Sequence, residues 1–186
     1  MNELLRYSAG YAFGFTLFGC LIPIGLYCLS DADPITIPNI SESLPIRLIL
    51  SAPFFLTGII FIVWSNISLL LRGKGGPAEG FGIAISPRTK NLVTTGPYRY
   101  SRNPMVFGAF CLYLSIGIFQ MSILCIIVLL ILLWLAATYI LGSEKKRLLK
   151  DFGKDYDDYY RRTPGIIPGW KKSLVSGDIG EGNTEG

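Results

Sequence analysis

Residues 103–143 read NPMVFGAFCLYLSIGIFQMSILCIIVLLILLWLAATYILGS and contain no charged side chain. As one α-helix this stretch would be about 60 Å long, twice the roughly 30 Å of hydrocarbon in a bilayer. We therefore predict a hairpin of two helices. Its turn is expected within Gly117–Ser122, where Gly117, Gln120 and Ser122 interrupt the apolar pattern.

Two shorter uncharged runs, Tyr7–Ser30 and Leu48–Leu71, each have the length of one membrane crossing. A soluble domain would place charges along each helix. A disordered chain would be far less apolar than the 51% hydrophobic content found here. The sequence predicts an all-α, multi-pass transmembrane bundle of about four helices. These helices are expected near residues 5–29, 46–71, 103–117 and 121–142.

The basic residues predict how the bundle is oriented. Of 17 Lys and Arg residues, six lie between the second and third predicted helices and nine follow Ser143. The loop between the first two helices, Asp31–Leu44, has none but carries three acidic residues. By the positive-inside rule we expect an integral membrane protein with both termini, the middle loop and the active site on the cytoplasmic side.

Missing residue types exclude several kinds of site. The chain has no histidine, which excludes Ser-His-Asp triads and most zinc and haem sites, and we expect no metal. The net charge of +4 is explained by membrane orientation, so we expect no nucleic-acid partner. Four cysteines lie in the uncharged runs without a Cys-x-x-Cys pair, and we expect buried free thiols at Cys20, Cys28, Cys111 and Cys125.

The C-terminal region divides into two parts. Apolar and aromatic residues recur at helical spacing between charged ones, which predicts an amphipathic cytoplasmic helix suited to the membrane surface. These residues are Leu148, Leu149, Phe152, Tyr156, Tyr159 and Tyr160. Residues 173–186 are rich in Gly, Ser, Glu, Asp and Asn and are expected to be a disordered tail. Residues 1–172 would form a single integral-membrane domain.

Polar and aromatic residues cluster where the chain re-enters the bilayer, in Thr94–Pro104 (TTGPYRYSRNP). The free N–H groups of a helix N-terminus could bind an anionic ligand group there. Simple interfacial anchoring by Tyr and Arg explains the same residues, and the spacing does not separate the two interpretations. Arg102 and Glu144 lie at opposite ends of the predicted hairpin, so we expect both at the cytoplasmic face.

The motifs resemble a known family. They are LVTTGPYRYSRNPM at Leu92–Met105, then Glu144, then FGKDYDDY at Phe152–Tyr159, and finally Ile-Ile-Pro at residues 166–168. In order and spacing they resemble the isoprenylcysteine carboxyl methyltransferase and phospholipid methyltransferase superfamily over about residues 90–168.

The resemblance implies an S-adenosyl-L-methionine-dependent methyltransferase with a cofactor-binding part at about residues 88–168. The acceptor would be a lipid or lipid-like molecule that enters from the bilayer, and its heteroatom would attack the sulfonium methyl in line. Arg102 and Asn103 are the expected catalytic residues, with Arg102 orienting cofactor or acceptor. Carried over by position, the cofactor contacts would be Lys90, Asn91, Leu92, Val93, Tyr98, Asn103, Pro104, Met105, Val106 and Glu144.

Four positions depart from the family pattern. Asn103 stands where many members have histidine, Lys145 where a second glutamate is frequent, and Val106 where tyrosine is frequent. Ile140 stands where the prenylcysteine branch has an arginine that meets the substrate. Asparagine can still hydrogen-bond a cofactor, and the missing arginine favours a phospholipid N-methyltransferase as the alternative within enzymes. The alternative of another class is a non-catalytic, lipid-binding membrane subunit.

Overall fold

A computed structural model describes residues 3–33, 43–74, 79–80, 83–84 and 89–169, and this part of the chain is helical apart from one short strand pair. The prediction of an all-α fold is confirmed. The α-helices are α1 (Glu3–Gly14), α2 (Ile22–Asp31), α3 (Leu44–Ser68), α4 (Pro104–Phe119) and α5 (Ile123–Arg162). Two π-helical segments, Phe15–Leu21 and Leu69–Gly73, and a 3₁₀ turn, Gly96–Arg99, join them. The strands β1 (Glu79–Gly80) and β2 (Ile83–Ala84) pair antiparallel.

The first predicted helix is one continuous rod with a π-helical middle. Pro23 lies in the first turn of α2 and has no N–H to donate to the carbonyl one turn earlier. The backbone widens just before it, and the Ile22 N–H bonds to the Leu17 carbonyl five residues back. The Tyr113 hydroxyl of α4 donates to the Phe18 carbonyl at 2.8 Å. The widened turn thus attaches the first rod to α4.

Among the described residues, two helical stretches are long and apolar enough to cross a membrane. These are Gly10–Asp31, with 22 residues and a mean hydropathy of 1.9, and Leu44–Gly73, with 30 residues and 2.2. Large apolar side chains on both face outward; Phe15, Ile49 and Leu71 are 71%, 70% and 75% exposed. Shorter apolar helices follow at Pro104–Phe119 and Ile123–Tyr139. Apolar surface on this scale needs a cover other than water.

The closest helix packing is between α3 and α4. A Cβ atom placed on Gly58 would lie 2.7 Å from the Leu112 nitrogen, and one on Gly108 would lie 2.9 Å from the Ile62 nitrogen. Glycine at these positions lets the two backbones touch, as small residues do between membrane helices. The packing fixes where α4 begins, and the start of α4 carries the Arg-Asn-Pro motif.

The far end of the bundle is fixed by a buried carboxylate. Asp33, which follows α2, is 7% exposed and accepts hydrogen bonds from the Ser122 hydroxyl (2.6 Å) and the Leu124 N–H (3.0 Å). It thereby caps the first turn of α5. Arg47 of α3 donates to the side-chain oxygen of Gln120 at 3.0 Å. The turn between α4 and α5 lies within the predicted range Gly117–Ser122. Asp33, at the end of the first rod, and Arg47, in the second, both bond to it.

The fourth predicted helix continues beyond its expected end near residue 142. The sequence predicts a helix that ends near residue 142 and a separate tail helix. Within α5 the first helical segment instead continues past residue 142 to a kink at Gly153 (φ 54°, ψ −126°), and a second segment follows to Arg162. The residues after Gly142 are mostly good helix formers, so nothing stops the helix there. Tyr156 and Tyr159 are 3% and 6% exposed, so one face of the tail packs on the protein.

All four cysteines are free thiols, as expected. Cys111 and Cys125 are buried, whereas Cys20 is half-buried and Cys28 is exposed in the protein alone. Cys125 belongs to the core between α2, α4 and α5, together with Leu26, Tyr113 and Leu129. The expected disordered tail, residues 173–186, lies outside the described residues.

Candidate functional site

The segment before the motif is tied to the end of α3. The N–H groups of Lys90 and Asn91 donate to the Gly73 carbonyl at 2.8 and 3.3 Å, and the Asn91 side chain donates to the Arg72 carbonyl at 3.2 Å. The last carbonyls of a helix have no partner within it. The chain that returns from the loop supplies those partners, so residues 89–95 lie against the end of the second long rod.

The turn at Gly96 requires glycine. Its φ is +66°, and a Cβ there would lie 3.0 Å from the Ser68 hydroxyl oxygen and 3.4 Å from the Trp64 indole nitrogen. A side chain would be strained by the backbone angle and would also collide with α3. Pro97 is fully buried behind it and starts the 3₁₀ turn. The turn at Gly96 and Pro97 therefore places the following motif against α3.

The motif is held by the chain end that follows α5. We call residues Thr163–Gly169 the C-terminal clamp. The Arg102 N–H donates to the Pro164 carbonyl at 2.9 Å, and the Asn103 N–H donates to the Gly165 carbonyl at 3.0 Å. These bonds join two segments that lie far apart in the sequence, with all of α4 and α5 between them. The backbone leading into α4 is thus fixed by the clamp before the helix starts.

Side chains reinforce the clamp from inside. The Ser101 hydroxyl is fully buried, donates to the Ile166 carbonyl at 2.6 Å and accepts from the Asn103 N–H at 3.1 Å. The Tyr159 hydroxyl donates to the Tyr98 carbonyl at 2.7 Å. Ser101 and Tyr159 belong to the quoted motifs, but no role at the site was expected for either. A small hydroxyl between Tyr100 and Arg102 was the available signal for Ser101.

Replacing Ser101 with alanine should loosen the clamp. The Ile166 carbonyl would lose its buried donor, and the expected cost is about 1–2 kcal/mol of unfolding free energy. Chemical denaturation in detergent micelles would measure it. Ser8→Ala, at an exposed position in α1, is the control and should change stability by less than about 0.5 kcal/mol. Equal stabilities of the two variants would contradict the role given to Ser101.

Arg102 and Lys145 contact the same aromatic ring. The Arg102 guanidinium carbon is 3.7 Å from the centre of the Tyr160 ring, and the Lys145 ammonium nitrogen is 4.4 Å from it. The Nε atom of Arg102 is buried without a hydrogen-bond acceptor. The start of α4 and the cationic part of α5 therefore meet at this ring. The backbone of Glu144 lies in α5, but its side chain is outside the described residues.

The predicted site residues fall into two groups. Lys90 and Asn91 are exposed and bond to the end of α3, whereas Tyr98, Arg102 and Asn103 contact α5 or the clamp. Val93 and Pro104 are buried and serve packing. The other three described ones, Leu92, Met105 and Val106, are half-buried, as are Tyr98, Arg102 and Asn103.

Asn103 keeps polar groups available at the start of α4. It is the residue that precedes the helix, yet its side chain caps none of the helix N–H groups. Its amide nitrogen makes one long hydrogen bond, 3.4 Å to the Gly165 carbonyl. A half-buried asparagine with spare donors and acceptors fits the polar groups of S-adenosylmethionine.

An apolar groove of about 440 Å³ lies between α5 and the clamp. Gly165 lines it and also accepts the hydrogen bonds of Asn103, so the groove and the motif share one stretch of backbone. The residues that line it are mostly apolar, so the groove suits an alkyl or isoprenoid chain. The lining residues are Leu130, Leu133, Trp134, Ala137, Pro164, Gly165, Ile166 and Ile167.

Comparison with known proteins identifies the family. Residues 46–155, more than half of the chain, match the phospholipid methyltransferase family. The chain belongs to that family. The phospholipid methyltransferase match covers α3, α4 and α5 beyond its Gly153 break, and it confirms the predicted superfamily. Members of this family are integral membrane proteins, in keeping with the two long apolar rods.

Two curated proteins are similar to this member of the phospholipid methyltransferase family, and their names differ from each other. It is 33% identical over 112 residues to the nickel-cobalt-cadmium resistance protein NccN of Alcaligenes xylosoxydans xylosoxydans, covering 56% of this chain and 52% of the relative. It is 28% identical over 128 residues to the protein-S-isoprenylcysteine O-methyltransferase of Schizosaccharomyces pombe, covering 62% and 54%. The chain thus spans about half the length of these relatives. No solved structure gave a significant match.

Proposed function

We propose that this protein is an S-adenosyl-L-methionine-dependent methyltransferase that acts on a membrane-embedded, lipid-like acceptor. The observation that carries the proposal is the C-terminal clamp. It accepts hydrogen bonds from the family's Arg-Asn-Pro segment and also lines an apolar groove, so a polar reaction centre and a site for an apolar tail would share the Gly165 backbone. Family membership and the long apolar rods support the same function.

The cofactor part of the proposal rests on the start of α4. Asn103 has amide groups to spare, and Met105 and Val106 begin a helix whose first N–H groups have no partner within the helix. Together with the residues carried over from the family, this makes residues 88–168 the cofactor-binding part of a domain that spans 1–172. S-adenosylmethionine supplies a methyl group on a positively charged sulfur.

Positioning is the main task of the protein's own residues. Ser101, the clamp and Gly96 fix the backbone on both sides of Arg102, so its guanidinium approaches a ligand with little freedom left. Arg102 and Asn103 then orient cofactor and acceptor, and the surrounding apolar walls keep water out. With no histidine in the chain, an acceptor amine would lose its proton to water or to Glu144.

The proposed topology is multi-pass. The two long rods, α4 and the apolar first half of α5 would be the four crossings. The positively charged loop and the C-terminal region would lie on the cytoplasmic side. The groove would then open toward the bilayer at Trp134, which is 66% exposed, and the acceptor tail would enter laterally.

The acceptor head group has two candidates. The family name and the lack of an arginine at Ile140 favour a phospholipid amine, whereas the fission-yeast relative's name favours a prenylcysteine carboxylate. A non-catalytic lipid-binding subunit is the alternative of another class, and binding of S-adenosylmethionine would distinguish an enzyme from it.

Methyl-label transfer tests the proposal. Purified protein in nanodiscs would receive methyl-labelled S-adenosylmethionine and a total lipid extract. We expect label in the organic phase, and mass analysis of the product would identify the acceptor. Glu144→Ala should weaken cofactor binding by about a hundredfold, because the sole acid of this motif would be lost. Asp151→Asn, an exposed carboxylate further along α5, is the matched control.

Each outcome of this assay has a defined meaning. Label transfer by the wild type and by Asp151→Asn, but not by Glu144→Ala, supports both the function and the assignment of Glu144. Unchanged cofactor affinity in Glu144→Ala contradicts that assignment alone. Failure of the wild type to bind S-adenosylmethionine contradicts the proposed function and favours the non-catalytic subunit.

A further inference from the structure

Two cations share one tyrosine at the junction of α4 and α5. Arg102 and Lys145 approach the Tyr160 ring to 3.7 and 4.4 Å, distances at which a cation–π attraction operates. The three residues come from widely separated positions, and all three are half-buried. The contact therefore depends on the tertiary fold and is protected from bulk water.

No described carboxylate balances the two positive charges in this cluster, and the side chain of Glu144 lies outside the described residues. Among the described side chains, neither Arg102 nor Lys145 has a carboxylate within ion-pair distance, and the ion pair found nearby joins Arg161 to Asp157 on the exposed side of α5. The Arg102 Nε–H is buried without an acceptor. Two like charges and an unused donor raise the free energy of a partly buried site unless an anion binds there.

The geometry points to an anion-binding subsite formed by Arg102, Lys145 and Tyr160. We infer that it takes the anionic group of the methyl acceptor, which is either the phosphate beside the amine of a phospholipid or the carboxylate that itself accepts the methyl. The Arg102 backbone bonds to Pro164, and Pro164 lines the apolar groove. A single amphiphile can thus place its tail in the groove and its anionic group at the two cations. The inference rests on the proposed function for the identity of the ligand.

The arrangement selects by charge. A guanidinium with a free Nε–H and an ammonium bind a phosphate or carboxylate through charge-assisted hydrogen bonds, which are about twice as strong as neutral ones. A neutral or cationic amphiphile gains nothing from them and leaves the Arg102 donor unpaired. The acceptor class is therefore an anionic or zwitterionic amphiphile whose anion is the reactive group or lies next to it.

Binding of dodecyl phosphate to the full-length protein tests the subsite without turnover. The protein would be held in phosphate-free maltoside micelles, with dodecyltrimethylammonium as the cationic counterpart. We expect saturable binding of dodecyl phosphate alone. Lys145→Gln should raise its Kd about tenfold, whereas Lys145→Arg should keep the wild-type value because the charge is retained. Lys146→Gln, at the exposed neighbouring position, is the matched control.

A second variant guards against an effect through folding. Tyr160→Leu removes the shared ring but neither charge. It should raise the Kd for dodecyl phosphate severalfold, and dodecyltrimethylammonium should still show no saturable binding. Equal Kd values for wild type and Lys145→Gln would overturn the inference. So would equal losses in Lys145→Gln and Lys146→Gln, since that would be a general charge effect.

Two competitors identify the source of the anion. Inorganic phosphate that displaces dodecyl phosphate at similar concentration would overturn the assignment to an amphiphile. Displacement by S-adenosylmethionine would give the subsite to the cofactor's own carboxylate and overturn the assignment to the acceptor. Failure of label transfer, by contrast, would leave this binding result unaffected and would count against the proposed function instead.

Discussion

A chain that ends at Arg162 should lose methyl transfer by about a hundredfold or more. It would lack the C-terminal clamp, so the Arg102 and Asn103 N–H groups and the Ser101 hydroxyl would lose the carbonyls of Pro164–Ile166. Each buried hydrogen bond contributes about 0.5–1.5 kcal/mol, and together they fix the backbone that orients the site. Methyl-label transfer in nanodiscs and thermal unfolding would measure both effects.

A chain that ends at Lys172 is the matched control for this truncation. It keeps every described clamp contact, including the Gly169 N–H bond to the Tyr100 carbonyl at 3.1 Å. We expect it to retain activity within about twofold of the full-length protein. Wild-type activity in the shorter chain would show that the Arg-Asn-Pro segment holds its conformation without the clamp.

Replacing Gly108 with valine should separate α3 from α4. The first added carbon would already lie 2.9 Å from the Ile62 nitrogen and 3.0 Å from the Gly58 carbonyl oxygen, and backbone atoms cannot rotate away. We expect a loss of about 2–3 kcal/mol in unfolding free energy, as for overpacked cores. Activity should fall as well, because α4 begins at the site. Denaturant titration in micelles would measure the stability.

Gly25→Ala is the control for a bulkier residue in an apolar helix. Nothing lies within 4 Å of a Cβ at Gly25, and alanine favours a helix over glycine by about 1 kcal/mol. We therefore expect unchanged or slightly higher stability. If Gly108→Val were as stable as Gly25→Ala, the close approach of α3 and α4 would not be a determinant of this fold.

The helices could be predicted because their signal is local. A long run without charge indicates an apolar helix in any arrangement, and the interruption at Gly117–Ser122 located a turn correctly. The end of the fourth helix was predicted wrongly because a change from apolar to charged residues, as after Gly142, is typical of a helix end. Helix propensity continues across it, and the backbone changes direction only at Gly153.

The residues of the candidate site were predictable in part. Arg102 and Asn103 stood out as polar groups at the start of an apolar helix, and the structure brings them to α5 and the clamp. Lys145 departs from the family pattern, but the sequence predicts no binding role for it. Its partner, Tyr160, lies on the same helix beyond the bend at Gly153, and no helical periodicity relates those two positions.

The sequence by itself determined the helical class, the apolar rods and the methyltransferase-like motif, because each depends on residues that are neighbours along the chain. Only the tertiary structure decided that residues 101–103 pair with residues 164–166, across the full length of α4 and α5. Most of these contacts use backbone carbonyls as acceptors, and every residue has one, so side-chain identity does not reveal them. Through the same pairing, Gly165 of the groove accepts hydrogen bonds from Asn103. The proposed chemistry is expected beside this contact, near the ring that Arg102 and Lys145 share.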